Sequence, residues 1–449
     1  MEESGEEAWE EMVPLLQDED PGVRRTVAQL LGKITNDQVQ QPLLGAVKDR
    51  DPGVRESALH ALRSVANGEA VETLVGALRD ESVAVRGLAA QLLKQIGWEP
   101  ADSTQKALSL VALGKIEHAA SLGGAAVEPL TGVLRTGMYY QRRAAVEALS
   151  KIGDPRVLKP LLASLKDEDG QVRAAVANAV GELGDKRAVD PLLASIKDAN
   201  REVRAQSADA LGKLGDTKAL QPLTGLLKDS HWEVRAAAVR ALGRFRSLDA
   251  LHPLAEMLLD RDREVCEAAA AALDQIGDKR AMEPLIMALL HEHDTVRRAA
   301  MRSLTRLDRE WTKSDAALRA VPKLKHALND KEYAVRQSAA DVLAQISDVR
   351  AEAPSVTMLA DGASVRKQAA FETLLEMLDE SDRDVRQASV EALGRLRDKR
   401  SADRLVKKLA DPDRWVRRAA ARALQELPWE PITHEEKALW QGVRDAGLI

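Results

Sequence analysis

The chain has 449 residues, more than one compact core supports, so several domains or one elongated stack of repeats are the available plans. Apolar residues make up 45% of it and aromatics 3%, so its core must be built from Leu, Ala, Val and Ile, which suits closely packed helices. Lys and Arg number 65 against 71 Asp and Glu, a net charge of -6, so there is no basic excess to neutralise a nucleic-acid backbone.

The first residues, Met1-Glu-Glu-Ser-Gly-Glu-Glu, are acidic and lack the basic-then-apolar order of a signal peptide. No apolar run approaches the length of a membrane span. The single cysteine, Cys266, leaves no partner for an intramolecular disulfide and fits a reducing compartment. A cytoplasmic protein without a cofactor is the expectation.

A repeated unit then fills the chain. Val157-Leu-Lys-Pro-Leu-Leu-Ala-Ser-Leu-Lys-Asp-Glu-Asp-Gly-Gln-Val-Arg173 is echoed by the run ending at Arg204, a step of 31 residues. Marker arginines stand at Arg24, Arg55, Arg86, Arg142, Arg173, Arg204 and Arg235. Cys266 occupies the next place, followed by Arg297, Arg336, Arg386 and Arg417. Longer steps of 56, 39 and 50 residues interrupt the period of 31. The pattern predicts an all-α fold, an α-solenoid of about twelve helical hairpins. The divisions fall at 1–98 (N-terminal repeats), 99–126 (a Trp-capped connector), 127–310 (six central repeats), 311–368 (an irregular repeat with connectors), 369–427 (C-terminal repeats) and 428–449 (a cap).

Within a unit, a leucine-rich first helix such as Val189 to Lys197 has Pro191 near its start, where a missing N–H costs nothing. Caps for the second helix stand four residues before the marker: Asp20, Asp51, Ser82, Asp169, Asn200, Asp262, Asp382 and Asp413. Pro21 and Pro52 follow as first helical residues. Alanine-rich second helices stop at Gly184, Gly215 and Gly277, which are free to take a left-handed cap. Their small side chains allow close approach, so the stack is expected to curve with second helices on its concave side. Trp98, Trp311 and Trp429 are expected to close the core where stacking is interrupted, with ligand capture as the alternative role, and Gln105 to Ala120 and His434 to Val443 read as further amphipathic segments. Ser347 to Ser364 is the least regular stretch.

Ala188-Val-Asp-Pro-Leu-Leu193, Lys197-Asp-x-x-x-x-Val-Arg204 and Ala210-Leu-Gly-Lys-Leu-Gly-Asp216 resemble the short HEAT-like repeats of the class named after phycobilin lyase subunits. Similar strings run from about residue 13 to 427. The resemblance implies a structural ladder in which an aspartate six residues before each arginine joins neighbouring repeats, as with Asp49, Arg55, Asp167, Arg173, Asp198, Arg204, Asp229 and Arg235. An arginine in the first turn of a helix opposes the helix dipole and gains from such a carboxylate. Thr136, His291 and Glu380 depart from the aspartate.

Members of the class range from scaffolds to enzymes. A lyase-like subunit is permitted, but no residue singles it out. The deoxyhypusine hydroxylase set of His-Glu pairs is missing: Arg25, Glu56, Gly87, Arg143, Ala174 and Ala205 follow the markers, and His291-Glu292 and His434-Glu435 lie elsewhere. No phosphate loop or serine nucleophile elbow is present. Cys266, His291 and His293 form a weak zinc candidate, set against a small buried thiol with two solvated histidines.

Two surface features point to binding a protein or peptide. Tyr139, Tyr140, Trp232, Tyr333 and Trp415 fall two or three residues before a marker position, where rings can anchor an interface or simply pack on a neighbouring turn. Arg240, Arg244, Arg298, Arg302 and Arg306 form a local basic patch, readable as a solvated face or as a site for an acidic partner or nucleic acid. The resulting expectation is a non-catalytic scaffold that holds a protein or peptide on its concave surface or aromatic edge.

Overall fold

The repeat between Asp185 and Leu214 shows how sequence becomes hairpin. Asp185 accepts the Arg187 N–H at 2.9 Å and caps a 3-10 turn, Lys186–Ala188, which leads into the first helix, Val189–Ser195. Val189, Leu192 and Ile196 turn inward and are buried, and complete burial of a leucine side chain is worth about 1.5–3 kcal/mol. In the following turn Asp198 accepts the Asn200 N–H at 2.8 Å, and Asn200 in turn accepts from Glu202 at 2.8 Å, opening the second helix. Gly184 and Gly277 take positive φ, 71° and 73°, where second helices end. The aspartate after such a glycine therefore starts the next repeat, a role its place in the sequence had not disclosed.

The computed structural model describes residues 8–347 and 362–447. Every regular element among them is helical, and they form an α-solenoid fold built from stacked hairpins. The chain divides into two units, residues 1–214 and 215–449. In the first, the second helices are α1 (Pro21–Leu31), α2 (Pro52–Ala61), α3 (Val83–Gln95), α4 (Tyr139–Ile152), α5 (Gly170–Leu183) and α6 (Arg201–Leu214). In the second they are α7 (Trp232–Phe245), α8 (Arg263–Ile276), α9 (Asp294–Leu307), α10 (Tyr333–Ser347), α11 (Arg383–Leu396) and α12 (Arg414–Glu426). Where the 31-residue step holds within a unit, second helices stack on second helices, and each leans on the first helix of its own hairpin; between α3 and α4 the connector helices Ser103–Ala112 and Ile116–Ala120 intervene. No helix among the described residues is long and apolar enough to cross a membrane.

Small residues set the closest approaches. A β-carbon built on Gly32 would lie 2.6 Å from that of Ala61, and on Gly243 2.8 Å from that of Ala272.

Two expectations need adjustment. The segment Gln105 to Ala120 is two helices, Ser103–Ala112 and Ile116–Ala120, broken at Gly114, whose φ is 74°. Asp262 precedes α8 but gives it no side-chain cap, because its carboxylate is drawn 2.5 Å from the Arg235 guanidinium instead. Trp311 is the most buried of the three connector indoles, at 4% exposure. Trp98 is half-buried against the first core, and Trp429 lies edge-on to Trp440 at 5.4 Å. Residues 348–361, most of the irregular stretch, lie outside the described residues.

Candidate functional site

Each marker arginine holds its own hairpin and grips the next. Arg173 Nη1 donates to the Asp167 carbonyl at 2.7 Å, satisfying the end of its own first helix. Its Nε and Nη2 donate to the two Asp198 oxygens at 2.8 and 2.9 Å. The fork repeats at Arg24–Asp49 (2.7 Å) in the first unit, whereas Arg55 and Arg142 donate to Asp80 and Asp167 through Nη2 alone, each at 2.8 Å, and their Nε atoms are buried without a hydrogen-bond partner. In the second unit the fork joins Arg235–Asp260 (2.7 Å) and Arg386–Asp411 (2.9 Å). Arg204 donates to the Asp198 carbonyl at 2.9 Å, and the Asp229 carbonyl accepts from Arg235 at 2.9 Å.

The charges respond to each other. The Asp198 carboxyl falls below its usual range mainly through the Arg173 hydrogen bond. Burial alone would raise Asp49 and Asp260, but the bonds from Arg24 and Arg235 outweigh it and lower both. These groups tie repeats together, and Asp49, Arg55 and Asp80 also line an open groove of about 590 Å³ with Lys48, Glu72 and Arg79.

The ladder changes partner where the period breaks. Arg86 reaches Thr136 Oγ1 at 3.0 Å, and with no carboxylate there burial lowers its pKa. Arg336 pairs with Asp384 at 2.5 Å, and Glu380 gives only its backbone carbonyl, to Arg386 at 2.8 Å. Arg297 binds the carbonyls of His291 and Glu292 and lies 3.3 Å from Asp294.

Cys266 and His291 form a neutral rung. The thiol donates to the Asp260 carbonyl at 3.1 Å, the bond that arginine Nη1 makes elsewhere. His291 Nδ1 accepts the His293 N–H at 3.1 Å, as the ladder aspartates accept theirs, so its proton resides on Nε2, 3.7 Å from Sγ. Burial pushes the thiol up to about 11 and lowers the His291 pKa. The pair lacks the ionised thiolate a nucleophile needs. His291 is half-buried rather than solvated, and His293 is exposed, 3.6 Å from Glu292. Among the described residues no three His, Cys, Asp or Glu side chains converge as metal ligands would.

The aromatic set stands in the first turns of α4, α7, α10 and α12. Tyr139, Tyr140, Trp232, Tyr333 and Trp415 are each 41–57% exposed. Tyr139 and Tyr140 meet edge-on at 5.7 Å, and Trp415 has Arg418 near its face at 5.9 Å.

The predicted arginine patch proves mixed in sign. Arg298 pairs with Asp294 at 2.9 Å and Arg306 with Asp274 at 2.9 Å. Arg302 and Arg306 line a groove of about 410 Å³ between α8 and α9, together with Glu264, Glu267 and Asp274. Arg240 and Arg244 lie exposed on α7, and both have interaction partners. A second groove, of about 440 Å³ between α11 and α12, holds Trp415, Arg418 and Arg422 beside Glu391 and Glu426. Sequence reading passed over these arginines although Arg422 stands five residues after the marker Arg417, the position that singled out Arg240 and Arg302. The four-residue spacing of Arg414, Arg418 and Arg422 was the available signal.

Among solved structures, the chain is similar to Kap95p in a complex with RanGDP at 16% identity and TM-score 0.41. The alignment covers 98% of this chain, which spans 63% of the Kap95p chain. An engineered protein matches at 21% identity over 93% of this chain and 98% of its own, with TM-score 0.29. The CpcE–CpcF complex of phycocyanin lyase from Nostoc sp. PCC7120 matches at 20% identity over 65% of this chain and 94% of that one, with TM-score 0.26. No curated protein matches significantly. HEAT repeats match in seven overlapping stretches, residues 4–63, 41–112, 99–171, 158–232, 223–305, 291–374 and 371–439. With these matches running from one end of the ladder to the other, the chain belongs to the HEAT-repeat family.

Proposed function

We propose that this protein is a non-catalytic scaffold that holds a protein or peptide partner against the second helices and the rings at their N-terminal ends. The observation that carries this reading is the placement of the aromatics. In a chain with 3% aromatic residues, five rings stand 41–57% exposed at one structural position, the first turn of a second helix. Tyr and Trp left in solvent at recurrent positions are the side chains that most often anchor interfaces. The ionisable groups support a role without chemistry of its own: the ladder charges are engaged between repeats, and the one thiol is buried and protonated. A reducing, cytoplasmic setting suits that thiol.

Protein is favoured over nucleic acid by the groove between α8 and α9. Arg302 and Arg306 face Glu264, Glu267 and Asp274 there, so a phosphate chain would meet repulsion as well as attraction. Affinity purification of partners from the source-cell extract with the full chain, repeated with Trp232→Ala and Tyr140→Ala, tests the reading. A partner that survives high salt and is lost with either ring supports it. Retention of nucleic acid that is lost on Arg302→Ala with Arg306→Ala overturns it.

A further inference from the structure

The charges on second helices of the second unit are mostly answered by a neighbour. Arg395 of α11 is ion-paired with Asp341 of α10, and Arg306 of α9 with Asp274 of α8. Helix α12 is the exception. Arg414, Arg418 and Arg422 follow each other at four-residue spacing, which places them along one helical face, where like charges repel. None of the three makes an ion pair among the described residues. The contrast with Arg298, Arg302 and Arg306 is direct: that series has the same spacing, but its two ends are held by Asp294 and Asp274.

The surroundings of α12 add three facts. Arg418 Nε is buried without a hydrogen-bond partner. Trp415 stands 51% exposed beside it, with the guanidinium 5.9 Å from the ring centroid. Both line the groove of about 440 Å³ between α11 and α12, whose floor is narrow because a β-carbon on Gly394 would lie 2.6 Å from that of Ala423. Of the groove's carboxylates, Glu426 lies 3.5 Å from Arg397, while Glu391 keeps its charge and accepts from the neutral amide of Gln387 at 2.9 Å. Arg418 and Arg422 together exceed the one carboxylate there without an ion pair among the described residues, Glu391, so the groove carries a net positive charge next to an open aromatic face.

We propose that the groove between α11 and α12 takes an acidic peptide segment of a partner protein. Its carboxylates pair with Arg418 and Arg422, and an apolar or aromatic side chain lies against Trp415. A continuous phosphate chain fits less well, because Glu391 and Glu426 share the groove, whereas a peptide can place its carboxylates only where the arginines stand. This inference rests on the scaffold reading and names the chemistry of the partner.

The test measures fluorescence anisotropy of a short fluorescein-labelled peptide of glutamates interrupted by phenylalanine, with the full chain at rising salt. Binding that weakens with salt, falls about tenfold or more in Arg418→Glu with Arg422→Glu, and falls severalfold in Trp415→Ala supports the site. Arg302→Glu should leave the affinity unchanged, and circular dichroism should show each variant folded. Equal binding by the charge-reversed and parent proteins overturns the proposal, as does binding of an oligothymidylate at this site in preference to the peptide. A cellular partner lost on Trp232→Ala but kept by the charge-reversed protein leaves the scaffold standing and removes this site. Peptide binding that depends on Arg418 and Arg422, in a chain that retrieves no cellular partner, does the reverse.

Discussion

Gly181 and Ala210 meet across α5 and α6 so closely that a β-carbon on the glycine would lie 2.7 Å from that of the alanine. The contact is 29 residues long in sequence and recurs at Gly32–Ala61, Gly243–Ala272 and Gly394–Ala423, so it is part of the repeat rather than a local accident. Replacing Gly181 with alanine gains about 1 kcal/mol of helix propensity. The steric cost opposes it, because the obstructing atoms are a β-carbon and backbone that cannot swing aside, and overpacking of this kind costs about 1–3 kcal/mol. Net destabilisation of Gly181→Ala is expected in urea unfolding; an unchanged or raised midpoint would mean the helices separate freely.

Thr136 occupies the ladder place of an aspartate, and Arg86 reaches its hydroxyl at 3.0 Å. Thr136→Asp should supply the missing carboxylate and stabilise the chain by about 1 kcal/mol, the scale of a partly exposed ion pair. Thr136 closes its helix, so a negative charge there costs a few tenths against the helix dipole. The pair wins on these magnitudes. Thermal unfolding of Thr136→Asp beside Thr136→Asn checks it, since only the charged variant should gain.

Cys266 and His291 have replaced both members of a rung. Cys266→Arg alone should destabilise, because it sets a guanidinium in a buried place with no carboxylate. Cys266→Arg with His291→Asp should recover that loss, with a coupling of about 1 kcal/mol or more in a double-mutant cycle. In the parent protein the buried thiol should react with Ellman's reagent only after denaturant is added. Rapid reaction of the native protein would contradict the protonated, enclosed thiol described above.

Acid should loosen the repeats. The Asp154 and Asp185 carboxyls are held at about 2, against an ordinary 3.8, chiefly by hydrogen bonds from Arg156 and Arg187. A folded pKa below the unfolded one gives stability that is complete above the unfolded value and is lost as pH falls through the folded one. Asp49, Asp198 and Asp260 are lowered too and act in the same direction. Asp341 opposes them, since burial raises its pKa. The melting temperature should therefore drop between about pH 4 and about pH 2, and less steeply in Arg156→Gln with Arg187→Gln. A flat profile over that range would show that these pairs contribute nothing to the fold.

The fold and the regular rungs were legible because they are periodic. The resemblance to HEAT-like repeats implied a ladder of arginines and aspartates, and the step of 31 residues repeats it, as in Arg173 and Asp198. Helix caps such as Asp169 and Asn200 were readable for a related reason: their bonds reach only two or three residues along the chain.

Where a longer connector intervenes, counting fails. Arg336 meets Asp384 rather than Glu380, because the inserted residues change which side chain arrives opposite it. Asp262 had the right position for a cap and spends its carboxylate on Arg235, a competition between a local and a distant donor that only the folded distances settle. The groove beside Trp415 is of the same kind. That Arg414, Arg418 and Arg422 share a helical face follows from their spacing and the pitch of the helix alone. That no carboxylate among the described residues pairs with them, while Arg306 finds Asp274, was decided by packing between repeats, because an ion pair depends on the separation of two side chains in space and not on their order in the chain.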